Sequence, residues 1–245
     1  MNMKIGIIGY GSMGHEVEGQ AKLKNIEISD IIDVDNPLNE SKKYDFDVAI
    51  DFSLPDQVKK NLEVICKLGK NVVIGTTGWA DDYGYIEKLV SESNICCVWG
   101  SNFSIGMNML FKITSHAAAM LNNLDAYDIM VHELHHHRKQ DSPSGSAITL
   151  ANLILQANKN KSIIEQETKH GKITPNELHV SSTRGGEIAG THTIYIDSIA
   201  DTLELTHRAK NRSGFALGAL ATAEWIGDHK GFFEFKDIVD EILGI

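Results

Sequence analysis

Cysteine is scarce in this chain: Cys66, Cys96 and Cys97 are the only three, all within apolar stretches. An odd count without ligand spacing argues against a disulfide framework or a zinc site. Buried, reduced thiols are expected instead, and they fit a reducing compartment. Long apolar runs are lacking too. None approaches the roughly 20 residues that a helical membrane span needs. The run before Gly9 is too short and wrongly flanked for a secretory leader, so a cytoplasmic protein is expected. Positive charge is in deficit: 23 Lys and Arg against 33 Asp and Glu leave a formal net charge of -10. Such a balance argues against nucleic acid and anionic membrane as partners. It leaves room for an anionic small-molecule substrate at a locally basic site. Internal repeats and low-complexity tracts are also missing.

What remains is an ordinary globular composition, 42% hydrophobic and 23% charged over 245 residues, enough for one large domain or two modest ones. Short Ile- and Val-rich segments predict strands at Lys4–Ile8, Ile28–Val34, Val48–Phe52, Asn71–Ile74 and Ile95–Trp99. Helical spacing separates several of them: Met13, Val17 and Ala21; Val58, Leu62 and Ile65; Ile86, Leu89 and Val90. This alternation predicts an α/β fold, a Rossmann-type doubly wound parallel sheet with helices on both faces. After Phe103 the pattern changes. A helix is expected from Asn108 to about Leu121, a strand from Asp128 to about His136, and a helix from Ser146 to about Ala157. Lys159 to Lys172 reads as polar loop, and His179–Ser182, Thr191–Ile196 and Thr202–Thr206 as strands. The second region is therefore an α+β unit with an open mixed sheet. From Ser213 onward the chain reads as helical, with Phe215, Leu217, Leu220, Trp225 and Ile226 as its apolar positions.

The first strand runs into Gly9-Tyr10-Gly11-Ser12-Met13-Gly14, a complete G-x-G-x-x-G between a strand and a helix. Gly9 permits the tight turn, Gly11 the approach of a pyrophosphate, and Gly14 close helix–strand packing. Asp33 lies 24 positions beyond Gly9, where an acidic residue would hold a ribose hydroxyl. Asp35 follows and no arginine stands beside it, which favours NADH over NADPH, although Lys42 and Lys43 lie a little further on. Gly75-Thr76-Thr77-Gly78 and Gly100-Ser101-Asn102-Phe103-Ser104 leave the C-terminal ends of later strands. They read either as further cofactor loops or as plain turns.

The densest chemistry is the run Glu133-Leu134-His135-His136-His137-Arg138-Lys139-Gln140-Asp141-Ser142-Pro143-Ser144-Gly145-Ser146. Histidine titrates near neutrality and serves as general acid or base. A nearby lysine donates a proton or pairs with a carboxylate. The helix start at Ser144–Ser146 suits an anion. On these residues alone, catalysis stands beside two other readings: a solvated strand end and a metal site. Three adjacent histidines on a regular strand cannot all face one ion, and no other ligand spacing supports a metal.

The segment Glu133–Ala147 resembles the signature E-x-H-H-x-x-K-x-D-x-P-S-G-T-A of the dihydrodipicolinate reductases. Only Ser146 departs from it, and it keeps the hydroxyl. The resemblance extends over Gly9–Gly14, Asp51–Ser53, Gly75–Gly78, Asn102–Asn108, Arg184–His192 and Arg212–Trp225, and so over nearly the whole chain. The chain is short for that family, mostly between Asp33 and Asp47 and between Asn158 and His179. The resemblance implies a dinucleotide-binding domain at 1–104 and 212–245, and a substrate-binding and oligomerisation domain at 105–211. It implies NAD(P)H-dependent reduction of 4-hydroxy-tetrahydrodipicolinate, a dicarboxylate, by a homotetramer in lysine and diaminopimelate synthesis. It casts His135 and Lys139 as catalytic, and His136, Gly145 and Ser146 as substrate-binding. Gly9, Tyr10, Gly11, Ser12, Met13, Asp33, Gly75, Thr76, Thr77, Gly100, Ser101, Asn102 and Phe103 become cofactor contacts, and Arg184 a further partner for a substrate carboxylate. No metal is implied. Two rivals are a reductase for another substrate with the same cofactor half, and a nucleotide-sensing module without turnover. The latter has no use for His135 and Lys139.

Overall fold

The computed structural model describes residues 3–244. Two compact units divide the chain: Met1–Ile105 together with Arg212–Ile245, and Gly106–Asn211.

The first unit carries β1 (Lys4–Ile8), α1 (Ser12–Leu23), β2 (Glu27–Ile32), β3 (Val48–Asp51), α2 (Pro55–Leu68), β4 (Asn71–Ile74), α3 (Tyr83–Ser93) and β5 (Cys96–Trp99). After the second unit it resumes with α6 (Ser213–Trp225), β11 (Gly231–Glu234) and α7 (Phe235–Leu243). Its sheet has the order β11-β5-β4-β3-β1-β2, and every pairing in it is parallel. Successive strand residues face opposite sides, and the cores follow that rule. Ile5, Ile7, Val48, Ile50, Val73, Cys96 and Val98 pack with Val17 and Ala21 of α1, with α6 and with α7. Ile8, Ala49, Val72, Ile74 and Cys97 pack on the other side with Val58, Leu62 and Ile65 of α2 and Ile86 and Val90 of α3. Helices cover both faces, so the strands are apolar throughout. All three cysteines are free and buried, and burial pushes the Cys96 thiol up to about 12, which keeps it unreactive.

Three expectations need correction here. The chain after Ser213 is not wholly helical, because Gly231–Glu234 forms β11 and pairs with β5. The second strand stops at Ile32 rather than Val34. There the Asp33 carbonyl accepts from the amide of Asn36 at 2.9 Å, a turn set by Asp, Asn and Pro in series. In α6 the buried positions are Ala216, Gly218, Ala219, Leu220, Thr222 and Ala223, while Phe215, Leu217 and Trp225 are only half-buried. Small residues let the helix lie close: a Cβ at Gly218 would stand 1.8 Å from the carbonyl oxygen of Phe103.

The second unit holds α4 (Ile105–Met120), β6 (Asp128–His135), α5 (Gly145–Ala157), β7 (Ile163–Glu165), β8 (Glu177–Arg184), β9 (Thr191–Asp197) and β10 (Thr202–Arg208). Its sheet runs β10-β9-β6-β8-β7 and is mixed: β6–β8 and β7–β8 are parallel, β6–β9 and β9–β10 antiparallel. The short β7 corrects the reading of 159–172 as loop throughout. Met107 and Leu110 of α4 and Leu150, Ala151 and Ile154 of α5 pack against Ile129, Val131, Leu178, Val180, Ile194 and Ile196. Both helices therefore lie on one face of the sheet.

Candidate active site

In the first unit the glycine-rich turn divides its labour. Gly9 has φ +83°, and a Cβ there would meet the carbonyl oxygen of Phe52 at 2.6 Å. A Cβ on Gly14 would meet the carbonyl oxygen of Gly9 at 2.4 Å. Both are required by packing. Gly11 is different: nothing lies within 4 Å of where its Cβ would be. It caps the N-terminus of α1, whose first turn holds no acidic residue. A helix N-terminus with clear space and no local negative charge is a cradle for phosphate. Beside it opens a cleft of about 190 Å³ lined by Met13, Phe52, Gly75, Gly100, Ser101, Asn102, Phe103, Arg212 and Phe215. Arg212, the one cation among these lining residues, and two of the three phenylalanines, Phe52 and Phe215, were not assigned to the cofactor by sequence reasoning. Phe52 read as the end of a strand, and Arg212 and Phe215 as the approach to a helix and one of its apolar positions.

The other expected cofactor residues vary in placement. Ser12 opens α1 and is exposed. Tyr10 donates its hydroxyl proton to Glu18 and packs against the His15 ring at 4.0 Å. Asp33 is exposed at the sheet's C-terminal edge. Thr76 and Thr77 part company. Thr77 is exposed, but the Thr76 hydroxyl is turned inward, 3.2 Å from Oδ1 of buried Asp51. Asp51 also accepts from the amide of Ser53 at 2.8 Å and from Asn61 at 3.0 Å, and burial raises its carboxyl. Thr76 thus fixes its loop, and any contact it makes with a ligand is through its backbone.

In the second unit, alternation along β6 puts Ile129, Val131, Glu133 and His135 on the buried face. The strand ends at His135, so His136 lies beyond it, its amide donating to the Ile188 carbonyl at 2.8 Å. Burial lowers the His136 imidazole, with Arg138 adding to the effect. Lys139 follows in the loop, with Nζ 2.7 Å from Asp141 Oδ1, and its charge holds the Asp141 carboxyl down. The chain then reaches Ser144, the N-cap of α5, whose Oγ accepts from the amide of Ala147 at 3.2 Å. Gly145 is exposed with open space where a Cβ would stand, and Ser146 follows in the first turn of α5. The structure thus brings His135, His136, Lys139 and the start of α5 into one loop cluster.

Its centre is a residue that sequence reasoning did not single out. Glu133 is fully buried. Its Oε1 accepts from the Ser144 amide at 2.9 Å, the Ser182 hydroxyl at 2.8 Å and Arg184 Nη2 at 2.7 Å. Its Oε2 lies 3.1 Å from His135 Nδ1 and 3.5 Å from His192 Nε2. Burial pushes this carboxyl up, but the hydrogen bonds from His135, His192, Ser144 and Arg184 together hold it well below the usual carboxylate range. The signal was available: Glu133 is two residues from His135 on a strand, hence on its face. Arg184, expected to meet a substrate carboxylate, holds this internal one through Nη2, which also donates to the Asp141 carbonyl at 2.7 Å. Glu133, His135 and His192 bring three ligand-type atoms within 4.8 Å of one another. The Arg184 guanidinium, 2.7 Å away, already neutralises that carboxylate.

A doubly wound parallel sheet with a glycine-rich turn after its first strand is the fold of pyridine-nucleotide-dependent oxidoreductases, and the second unit buries a histidine at the end of β6. Comparison with known proteins narrows the class. Residues 3–103 match the family model for "Dihydrodipicolinate reductase, N-terminus", and residues 106–239 that for its C-terminus. The chain belongs to the dihydrodipicolinate reductase family. It is 37% identical over 241 residues to the 4-hydroxy-tetrahydrodipicolinate reductase of Christiangramia forsetii, covering 98% of this chain and 99% of that one. It is 39% identical over 204 residues to the enzyme of the same name from Archaeoglobus fulgidus, covering 81% and 77%. A solved dipicolinate-bound dihydrodipicolinate reductase from Paenisporosarcina sp. TG-14 shares the fold, with a TM-score of 0.77, 23% identity and coverage of 97% and 100%. Among the described residues, no helix is long and apolar enough to cross a membrane.

Proposed function

We propose that this protein reduces 4-hydroxy-tetrahydrodipicolinate to tetrahydrodipicolinate, with loss of water and with NADH or NADPH as reductant, in lysine and diaminopimelate synthesis. The observation that carries the reading is the second unit's loop cluster. A buried histidine ends β6, a lysine follows four residues later, and the Ser144 amide at the start of α5 is bonded to the carboxylate beside that histidine. Loss of water leaves a conjugated imine that gains a hydride on carbon and a proton, so the protein must supply an acid and must hold two carboxylates. His135 exchanges a proton with the substrate, and Lys139 is the second donor. His136, Gly145 and Ser146 receive a carboxylate at the helix N-terminus. The bound nicotinamide supplies the hydride. Gly9 to Met13, Asp33, Gly75 to Thr77 and Gly100 to Phe103 hold the dinucleotide, making residues 1–104 and 212–245 the cofactor domain and 105–211 the substrate domain.

Of the two reductants NADH is favoured. Asp33 and Asp35 stand exposed where a 2′-phosphate would go, and Lys42 is drawn over the Tyr44 ring, 5.1 Å from its centroid. The active species is a homotetramer in the cytoplasm. The sheet face opposite α4 and α5, which carries Met130, His132 and Tyr195, is covered by neither helix of its unit. The test follows NADH loss while a condensing enzyme generates the cyclic substrate in place. Oxidation that depends on this product supports the assignment. Turnover of unrelated keto acids, with none of this product, overturns it. A strong kcat/KM preference for NADPH at fixed salt would reverse the cofactor choice, and a stable active monomer in light scattering would end the tetramer.

A further inference from the structure

We propose that Glu133 is a positioning residue that fixes the tautomer of His135: the carboxylate holds the proton on Nδ1 and leaves Nε2 as the atom that exchanges protons. The inference rests on the reading of His135 as the acid–base group. Four observations carry it.

First, Glu133 is fully buried, and its two oxygens are not equivalent. Three donors converge on Oε1: the Ser144 amide, the Ser182 hydroxyl and Arg184 Nη2. Oε2 is left to the imidazoles, with His135 Nδ1 at 3.1 Å and His192 Nε2 at 3.5 Å. Second, Nδ1 of His135 is buried, and neither it nor Glu133 Oε2, 3.1 Å away, has a well-aligned hydrogen-bond partner among the described residues. A buried ring nitrogen beside a carboxylate is stable only as a donor, because a lone pair facing the anion would be repelled and unsatisfied. The approach is oblique, a feature of sites that tighten when substrate binds. Third, the far side of the ring faces a residue without a side chain. A Cβ on Gly190 would lie 3.0 Å from His135 Nε2, so glycine is what leaves that atom approachable. Fourth, the carboxylate is anchored independently of the histidine. Arg184 fixes its charge and Ser182 its angle from β8, and the Ser144 amide ties it to the start of α5. The imidazole of His192 on β9 closes the remaining side at 74° to the His135 ring. The ring orientation is therefore set by three elements that the substrate does not have to organise.

Substitution by glutamine gives a sharp test. Its amide oxygen must face the three donors at Oε1, which turns the NH2 group toward His135 Nδ1. That nitrogen must then accept, and the proton moves to Nε2, the wrong atom. Wild type and E133Q are labelled with 15N-histidine, and the His135 ring signals are assigned by their loss in His135→Gln. The wild type is expected to show the neutral ring protonated at Nδ1, and E133Q at Nε2. The kcat of E133Q should fall about a hundredfold or more, the scale of a lost general acid or base, with Kd for NADH unchanged. Glu133→Asp, which keeps the charge, should recover part of the loss. A wild-type ring protonated at Nε2 overturns the proposal, whether or not E133Q folds. So does an E133Q enzyme with near-native kcat. The tautomer measurement needs no turnover. An enzyme inert toward the cyclic substrate but with the expected tautomer would refute the assigned reaction and leave the positioning intact.

Discussion

The second and third glycines of the nucleotide turn, Gly11 and Gly14, should fail in opposite ways when each gains one methyl group. In Gly14→Ala the new Cβ would lie 2.4 Å from the Gly9 carbonyl oxygen, about 1 Å inside ordinary carbon–oxygen contact. Neither atom is at the end of a flexible side chain, so α1 must shift away from β1. Overpacking of this kind costs roughly 1–3 kcal/mol, or about 2–12 °C in Tm for a chain of this size. Gly11→Ala meets nothing within 4 Å, and Gly11 already has an ordinary extended backbone at φ −84°. The unliganded protein should lose less than about 1 kcal/mol, the scale of a helix-cap change. The methyl would instead occupy the space assigned to the pyrophosphate. We expect Kd for NADH to rise at least tenfold, equivalent to about 1.4 kcal/mol. Thermal melts without nucleotide, followed by fluorescence titration with NADH, separate the two effects. A Gly11→Ala protein that binds NADH normally would refute the placement of the phosphate. An unshifted melt for Gly14→Ala would refute the packing argument.

Three further outcomes follow from the second unit. His135→Gln and Lys139→Met should each lower kcat by about a hundred- to ten-thousand-fold while NADH titrations stay unchanged, and Ser146→Ala should mainly raise KM. Lost NADH affinity in the first two would move the cluster into the cofactor site. Arg184→Met removes the cation from a fully buried carboxylate and should destabilise the fold by roughly 3–5 kcal/mol, measured by urea unfolding. Glu133 also sets an acid limit. Its carboxyl is depressed in the folded state, so its contribution is complete above the unfolded value and is lost as pH falls below the usual carboxylate range. Arg184→Met should therefore shift the acid-unfolding midpoint, followed by circular dichroism, to higher pH.

Local signals made much of this legible. The strand–glycine–helix turn at Lys4–Gly14 needs only neighbours in sequence, and so does the run from β6 through Lys139 into α5. What escaped was set by distant partners. Gly231–Glu234 is apolar and only four residues long, and it reads like the helices around it until β5 supplies its ladder. The three residues of β7 lie in a polar stretch and exist through pairing with β8. In α6, size misled in part: Leu220 is buried as its apolar character suggests, but Phe215, Leu217 and Trp225 are only half-buried, while Gly218 and the alanines are buried. Glu133 shows the same limit at the site. A carboxylate in mid-strand suggests exposure, and its burial is sustained by partners remote in sequence, Ser182, Arg184 and His192, together with the Ser144 amide.

The order of the first sheet has a consequence for how the molecule comes into being. Its first five strands emerge early from the ribosome, but β11, which completes the edge beside β5, and α6, which roofs Ile5, Ile50 and Val98, are the last to arrive. The whole of Gly106–Asn211 must be synthesised in between. During that interval β5 presents an open edge, and the apolar floor meant for Ala216, Ala219 and Leu220 is bare, a state prone to mispairing. A chain stopped near residue 211 would contain every motif of the glycine turn and still lack a finished nucleotide domain.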